Sequence, residues 1–309
     1  MLKKIALFLV VLALCLAALE VYVNSTSSSR WQRVYNYEMV GDTPVWRSSN
    51  KDAEAVANLD CAQGGRADVA ILGDSILYGI RIPVEDALAP RMSQRLVSAD
   101  KSNACVVNLA VPGFTLEQEL AVIKRDWNTL QPRIVVLEVW ANSPHRVQVV
   151  GGMLFNFGYL AVDEEGLPNP FDVSSSLNRT LFGTSALWRR AVQGAAKRNA
   201  DTSILWSSTN ADVIAFNEWL MERNSRLVLA SAVNLGSPWS AGREEDRGHY
   251  AQLGAWASSN DIPAIWFDEV LASQPVESVR LDTCCHLNAL GLHMVGDSLE
   301  KVIQPLLID

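Results

Sequence analysis

The chain alternates short unbroken apolar runs with longer stretches in which apolar residues return every three or four positions. The runs are Ala67 to Asp74, Cys105 to Val111, Ile134 to Val139, Arg226 to Val233 and Ala264 to Phe267. Runs of this length without in-and-out alternation predict strands buried on both faces, as in a parallel sheet. Between them the period changes to that of helices. Leu88, Met92 and Leu96 lie on one face of a helix predicted over 86–99, and Leu116, Leu120, Ile123, Trp127 and Leu130 form a second stripe. Thr115 opens that second helix with Gln118 three residues on, the spacing of a capping box, and Pro132 closes the turn after it. Further helices are predicted over 212–224, 244–258 and 288–306. Strands separated by helices point to a parallel sheet with right-handed crossovers.

The rhythm breaks twice. Residues 25–66 are polar with scattered aromatics (Trp31, Tyr35, Tyr37, Trp46) and read as a loop-like linker that packs over one edge of the domain. Residues 147–210 are rich in Gly, Pro, Asn and Ser around 151–177, with Phe155, Phe157, Tyr159 and Phe171 interspersed and a helix predicted over 185–197. So long an interruption within a compact domain reads as a functional element or a small subdomain. The core domain therefore extends over 67–309 with this segment inserted.

Residues 1–24 form a separate segment. Lys3 and Lys4 precede an apolar run from Ile5 to Leu19, then Glu20 and Val21-Tyr22-Val23. This predicts a signal anchor that contacts the membrane through residues 5–23, with secretion after signal cleavage as the alternative. The two lysines would keep the N-terminus in the cytoplasm and put the rest of the chain on the periplasmic or extracytoplasmic side.

Composition narrows the picture further. The 309 residues are 49% hydrophobic and 19% charged with a net charge of -8, and no basic stripe follows Lys4, so nucleic acid is excluded as a partner. Among five cysteines, Cys61 precedes the first strand and Cys105 begins the second. Neighbouring parallel strands would bring both to one end of the sheet, where a disulfide is geometrically possible; two free core thiols is the other reading. Cys284 and Cys285 are adjacent and admit the same two readings.

Candidate chemistry starts where the first strand ends, at Gly73-Asp74-Ser75. A buried strand that stops abruptly delivers one hydroxyl to the carboxyl edge of a sheet, where ligands of open α/β sheets bind. A second Gly-Asp-Ser, Gly296-Asp297-Ser298, falls inside the last helical stretch with no strand before it and is set aside. Four histidines exist: His145, His249, His286 and His293. His286 precedes the last helix, at the same sheet edge, with Asp282 close enough to orient its ring; His145 is its rival. The Ser75 amide, the Gly113 amide after Pro112 and the Asn142 side chain at the end of the third strand are candidate donors for an oxyanion.

Taken in order, Gly73-Asp74-Ser75, Asn108-Leu109-Ala110-Val111-Pro112-Gly113, Asn142, and Asp282 with His286-Leu287-Asn288 resemble the four blocks of the SGNH/GDSL hydrolase family. The resemblance extends over 68–306, apart from the inserted segment. It implies an α/β fold: a three-layer α/β/α sandwich on a flavodoxin-like parallel five-stranded sheet of order 2-1-3-4-5. It also implies Ser75 as nucleophile, His286 as base, Asp282 as its partner and Asp74 in support. Ser75, Gly113 and Asn142 would form the oxyanion hole, with no metal or cofactor. Two departures stand out. Trp140-Ala141-Asn142-Ser143 replaces the family's usual Gly-x-Asn-Asp, and Asp282 lies four residues before the histidine where the family has three, a place held here by Thr283. The function expected is a serine ester hydrolase or O-acyl transferase acting on an acyl ester, above all acetyl, of a cell-envelope carbohydrate. A lipid or thioester acylhydrolase is the alternative, as is a non-catalytic polysaccharide-binding or assembly protein.

Overall fold

The computed structural model describes residues 2–26, 37–46, 53–62, 65–99, 102–140, 143–144, 146–150, 153–157, 163–198, 202–231, 244–282 and 285–308. Its strands are β1 (Tyr37–Val40), β2 (Thr43–Trp46), β3 (Val69–Leu72), β4 (Val106–Asn108), β5 (Ile134–Val139), β6 (Arg146–Val150), β7 (Met153–Phe157), β8 (Arg226–Ser231) and β9 (Ala264–Trp266). Its α-helices are α1 (Leu2–Thr26), α2 (Ala53–Ala57), α3 (Ser75–Tyr78), α4 (Leu88–Arg95), α5 (Leu116–Leu130), α6 (Ser175–Thr184), α7 (Ala186–Arg198), α8 (Thr202–Met221), α9 (Glu244–Ser259), α10 (Phe267–Leu271), α11 (Val276–Val279) and α12 (Ala289–Ile308). They fall into two compact units, residues 1–37 with 146–201, and residues 38–145 with 202–309.

The second unit is built on a five-stranded parallel sheet, β4-β3-β5-β8-β9. The predicted order 2-1-3-4-5 needs correcting in its numbering, because two hairpins that the apolar pattern did not mark, β1-β2 and β6-β7, lie outside this sheet. Counted among themselves, the five sheet strands stand second, first, third, fourth, fifth. Alternate strand residues enter two separate cores. Val69, Ile71, Val136, Val228 and Ile265 pack with Leu88 and Met92 of α4 and Leu292, Leu299 and Ile303 of α12. Ala70, Leu72, Val135, Leu137 and Leu229 pack with Leu120 and Ile123 of α5, Phe216 of α8 and Leu253 of α9. Burial on both faces is why the strands read as continuous apolar runs.

Residues 37–46 and 53–62 depart from the predicted loop. β1 and β2 form a hairpin that turns at Gly41, whose φ is +61°. Val45 and Trp46 pack with Val122 of α5 and with Phe114 in the turn before it, while Gln118 Nε2 donates to Pro44 O at 2.7 Å. Tertiary packing, not length of apolar run, makes these strands. The 53–62 segment is joined to β4 by a Cys61–Cys105 disulfide with a Cα separation of 5.4 Å, and Asn58 Nδ2 donates to Val106 O at 2.8 Å. Helix α8 begins at Thr202, ten residues before its predicted start. The Ser- and Thr-rich first half carries Trp206, which is buried against Tyr250 of α9.

In the first unit, β6 and β7 pair antiparallel with Val150 opposite Met153. Among the described residues no helix is long and apolar enough to cross a membrane. Glu20 is the one carboxylate within the apolar run of α1. Its side chain accepts the N–H groups of Ala186 and Leu187 and the Ser185 hydroxyl at the N-terminus of α7. Burial raises its pKa, but those bonds and Arg189 outweigh it and hold the group below the ordinary value.

Candidate active site

The serine stands where β3 must stop. A Cβ at Gly73 would lie 2.3 Å from Glu138 Oε2 and 3.0 Å from its Cβ on neighbouring β5, so any side chain here would displace Glu138. Asp74 then caps the short helix α3, its Oδ1 accepting the Ile76 N–H at 3.0 Å, and Gly79 ends that helix at φ +73°. Ser75 is the first helical residue, so its own N–H has no acceptor within the helix. It is 9% exposed, at the lip of the core rather than in solvent.

The histidine comes from a loop pinned at both ends. Arg280 and Leu287 form an antiparallel bridge, and Leu281 N–H donates to His286 O at 2.8 Å. Asn288 clamps the exit, donating to Ser278 O at 2.8 Å while its Oδ1 accepts the Gly291 N–H at 3.1 Å. Gly291 has to be small here, since a Cβ would meet Val279 O at 2.5 Å. Within this loop Asp282 Oδ1 accepts the backbone N–H of Cys285 at 3.2 Å and of His286 at 3.4 Å. Its other oxygen lies 2.5 Å from His286 Nδ1.

His286 Nε2 is 2.9 Å from Ser75 Oγ, 211 residues away in sequence. A carboxylate only accepts, so Asp282 fixes the Nδ1–H tautomer and leaves Nε2 to accept the serine hydroxyl proton. Hydroxyl, imidazole and carboxylate thus stand in line, the arrangement that nucleophilic catalysis needs, with the imidazole side chain 21% exposed. The four-residue separation of Asp282 from His286 is accommodated by the closed loop.

Gly113 follows a second route to the same sheet edge. Beyond β4, Leu109 N–H donates to Ile71 O at 2.8 Å and Val111 N–H to Gly73 O at 3.0 Å, which extends the pairing up to the serine turn. Pro112 and Gly113, the latter at φ +82°, then form a tight turn closed by Phe114 N–H on Val111 O. A Cβ at Gly113 would meet nothing within 4 Å, so open space adjoins it. Asn142 and His145 lie outside the described residues, as do Thr283 and Cys284. Next to Asn142, Trp140 N–H donates to Ser143 Oγ at 2.9 Å and Leu116 N–H to Ser143 O at 3.3 Å, which ties the loop after β5 to the start of α5.

The other histidines and the second Gly-Asp-Ser stand elsewhere. His249 on α9 stacks on Trp206, His293 on α12 lies beside Asp86, and Asp297 on α12 pairs with Arg91 and Arg95 of α4. What the apolar pattern passed over is beneath the serine. Glu138 and Glu119 are 1% and 3% exposed, and Asp74 is fully buried. Burial first, then Asp74 and, for Glu138, Glu119, push the pKa of both glutamates well above the ordinary carboxyl value. The signal was present: Glu138 is the one charged residue in the run Ile-Val-Val-Leu-Glu-Val.

Neither a family model nor a curated protein sequence matches the chain. Among solved structures it is similar to a member of the lipolytic G-D-S-L family from Veillonella parvula, at 13% identity and TM-score 0.46 over 76% of this chain and 96% of that one. It is also similar to a GDSL-like lipase from Bacteroides thetaiotaomicron, at 13% identity and TM-score 0.43 over 77% and 87%. The acetyl xylan esterase AlAXEase is similar at 15% identity and TM-score 0.44 over 76% and 98%.

Proposed function

We propose that this chain is an SGNH-type serine ester hydrolase or O-acyl transferase. The observation that carries the reading is the line Asp282 Oδ2, His286 Nδ1, His286 Nε2, Ser75 Oγ, with contacts of 2.5 and 2.9 Å. Ser75 Oγ attacks the acyl carbonyl carbon as Nε2 takes its proton. The oxyanion is held by the N–H groups of Ser75 and Gly113 and by the Asn142 amide. Collapse breaks the ester C–O bond, and the imidazolium returns the proton to the departing alcohol. Water, or an acceptor hydroxyl in a transferase, then attacks the acyl-serine by the same route in reverse.

For substrate we take an acetyl ester of a cell-envelope carbohydrate. The Cys61–Cys105 disulfide supports an oxidising, extracytoplasmic setting for it. A longer lipid or thioester acyl group is the second reading, favoured by the apolar sequence Met153-Leu154-Phe155 in the hairpin β6-β7.

The test is hydrolysis of p-nitrophenyl esters of increasing chain length, with fluorophosphonate labelling alongside. Wild type should turn over the acetyl ester fastest and label at Ser75, and Ser75→Ala should lose both activities. A rate that rises with chain length would favour the lipid reading. Equal slow hydrolysis by wild type and Ser75→Ala, with no labelling, would leave a non-catalytic binder.

A further inference from the structure

The turn that presents Ser75 rests on a side chain of the adjacent strand. Glu138 extends from β5 across Gly73, and its Oε2 accepts the Asp74 N–H at 3.0 Å. The fit is close: any Cβ at Gly73 would lie 2.3 Å from that oxygen and 3.0 Å from Glu138 Cβ. The carboxyl is 1% exposed, and its Oε1 has no hydrogen-bond partner among the described residues. A glutamate in the middle of a fully buried parallel strand is costly, and the strand pairing does not require it: Ala230 stands opposite it on β8. Hydrophobic packing alone would have selected Val or Leu at this position. The carboxyl's 3.0 Å bond lands on the residue before the serine, and the Leu77 backbone of α3 also bonds to it.

We infer that Glu138 is a positioning residue for the nucleophile, holding the Asp74 peptide so that the Ser75 hydroxyl stays within reach of His286 Nε2. The inference rests on the reading of Ser75 as the nucleophile. Its physical basis is that a serine hydroxyl misaligned by an ångström costs about a hundredfold in rate. Asp74 is held at both ends, its N–H by Glu138 and its carboxyl by the Ile76 N–H, which leaves little freedom at the peptide that leads into Ser75. The charged groups acting on Glu138 are Asp74 from the β3–α3 turn and Glu119 from α5, and both are acidic. With burial they favour the neutral acid, so glutamine reproduces both the shape and the acceptor oxygen. Aspartate is one methylene too short to reach the same N–H.

The experiment compares Glu138→Gln, Glu138→Asp and Glu138→Leu with wild type and with Ser75→Ala, by p-nitrophenyl acetate kinetics on protein shown to be folded by its thermal transition. Glu138→Leu should lower kcat about tenfold to a hundredfold with KM within about twofold. Glu138→Asp should fall similarly, and Glu138→Gln should recover most of the loss. The inference is overturned if folded Glu138→Leu or Glu138→Asp keeps the wild-type kcat, or if Glu138→Gln loses as much as they do. Should Glu138→Leu fail to fold, Gln against Asp decides on the same terms. Ser75→Ala separates the two failures. If it retains full activity, the nucleophile reading itself is lost; if it is inactive while every Glu138 variant is active, only the role of Glu138 is.

Discussion

His286 is oriented by a carboxylate that does two jobs with two oxygens. One fixes the ring, and the other gathers the Cys285 and His286 amides. Asp282→Asn keeps an oxygen for the amides but offers the ring an NH₂ where it needs an acceptor. It should lower kcat about a hundredfold or more with KM little changed, in steady-state ester hydrolysis, while the thermal transition moves by only a few degrees. An unchanged kcat would mean that the ring is oriented by something else. Glu119 makes a pH prediction at the same scale. Its folded pKa lies above the ordinary 4.5, with burial and then Asp74 as causes. The folded chain therefore holds a proton that the unfolded chain releases. The stability this confers is complete below about pH 4.5 and is lost as pH rises through the folded pKa. Replacing the group by Glu119→Gln should make the variant gain on wild type in urea unfolding between about pH 5 and 8. A difference that does not change with pH would refute the shift.

At the scale of elements, the last helix carries a built-in control. Gly296-Asp297-Ser298 repeats the motif of the site on α12, where Gly296 faces Leu88 and Asp297 pairs with α4. Ser298→Ala should leave ester hydrolysis at the wild-type rate, whereas Gly291→Ala, with a Cβ 2.5 Å from Val279 O, should destabilise by about 1–3 kcal/mol in denaturant melts. Loss of activity in Ser298→Ala would move the site. Elements with long-period packing were legible in the sequence: β5 and α5 begin and end within a residue of their predicted limits, because apolar runs and the Thr115–Gln118 pair encode them locally. The β1-β2 hairpin and the first half of α8 were not, since Val45 and Trp206 owe their burial to partners distant in sequence. The Ser75–His286 contact was legible through the shared sheet edge and block order, because no local pattern encodes a contact across 211 residues. Glu138 went unread since a charge inside an apolar strand carries no period of its own.

For the molecule as a whole, the Cys61–Cys105 bridge closes a loop of 44 residues and bears on where the chain can function. Its replacement by Cys61→Ser with Cys105→Ser should reduce unfolding free energy by about 2–4 kcal/mol in a denaturant titration, and no reduction would assign the bridge a role other than stability. The loop it closes also contains Ser75. A single proteolytic nick anywhere between the two half-cystines therefore releases nothing. The clipped chain runs as one band without reductant and as two with it, and the fragment bearing Ser75 stays tethered to the remainder of its fold.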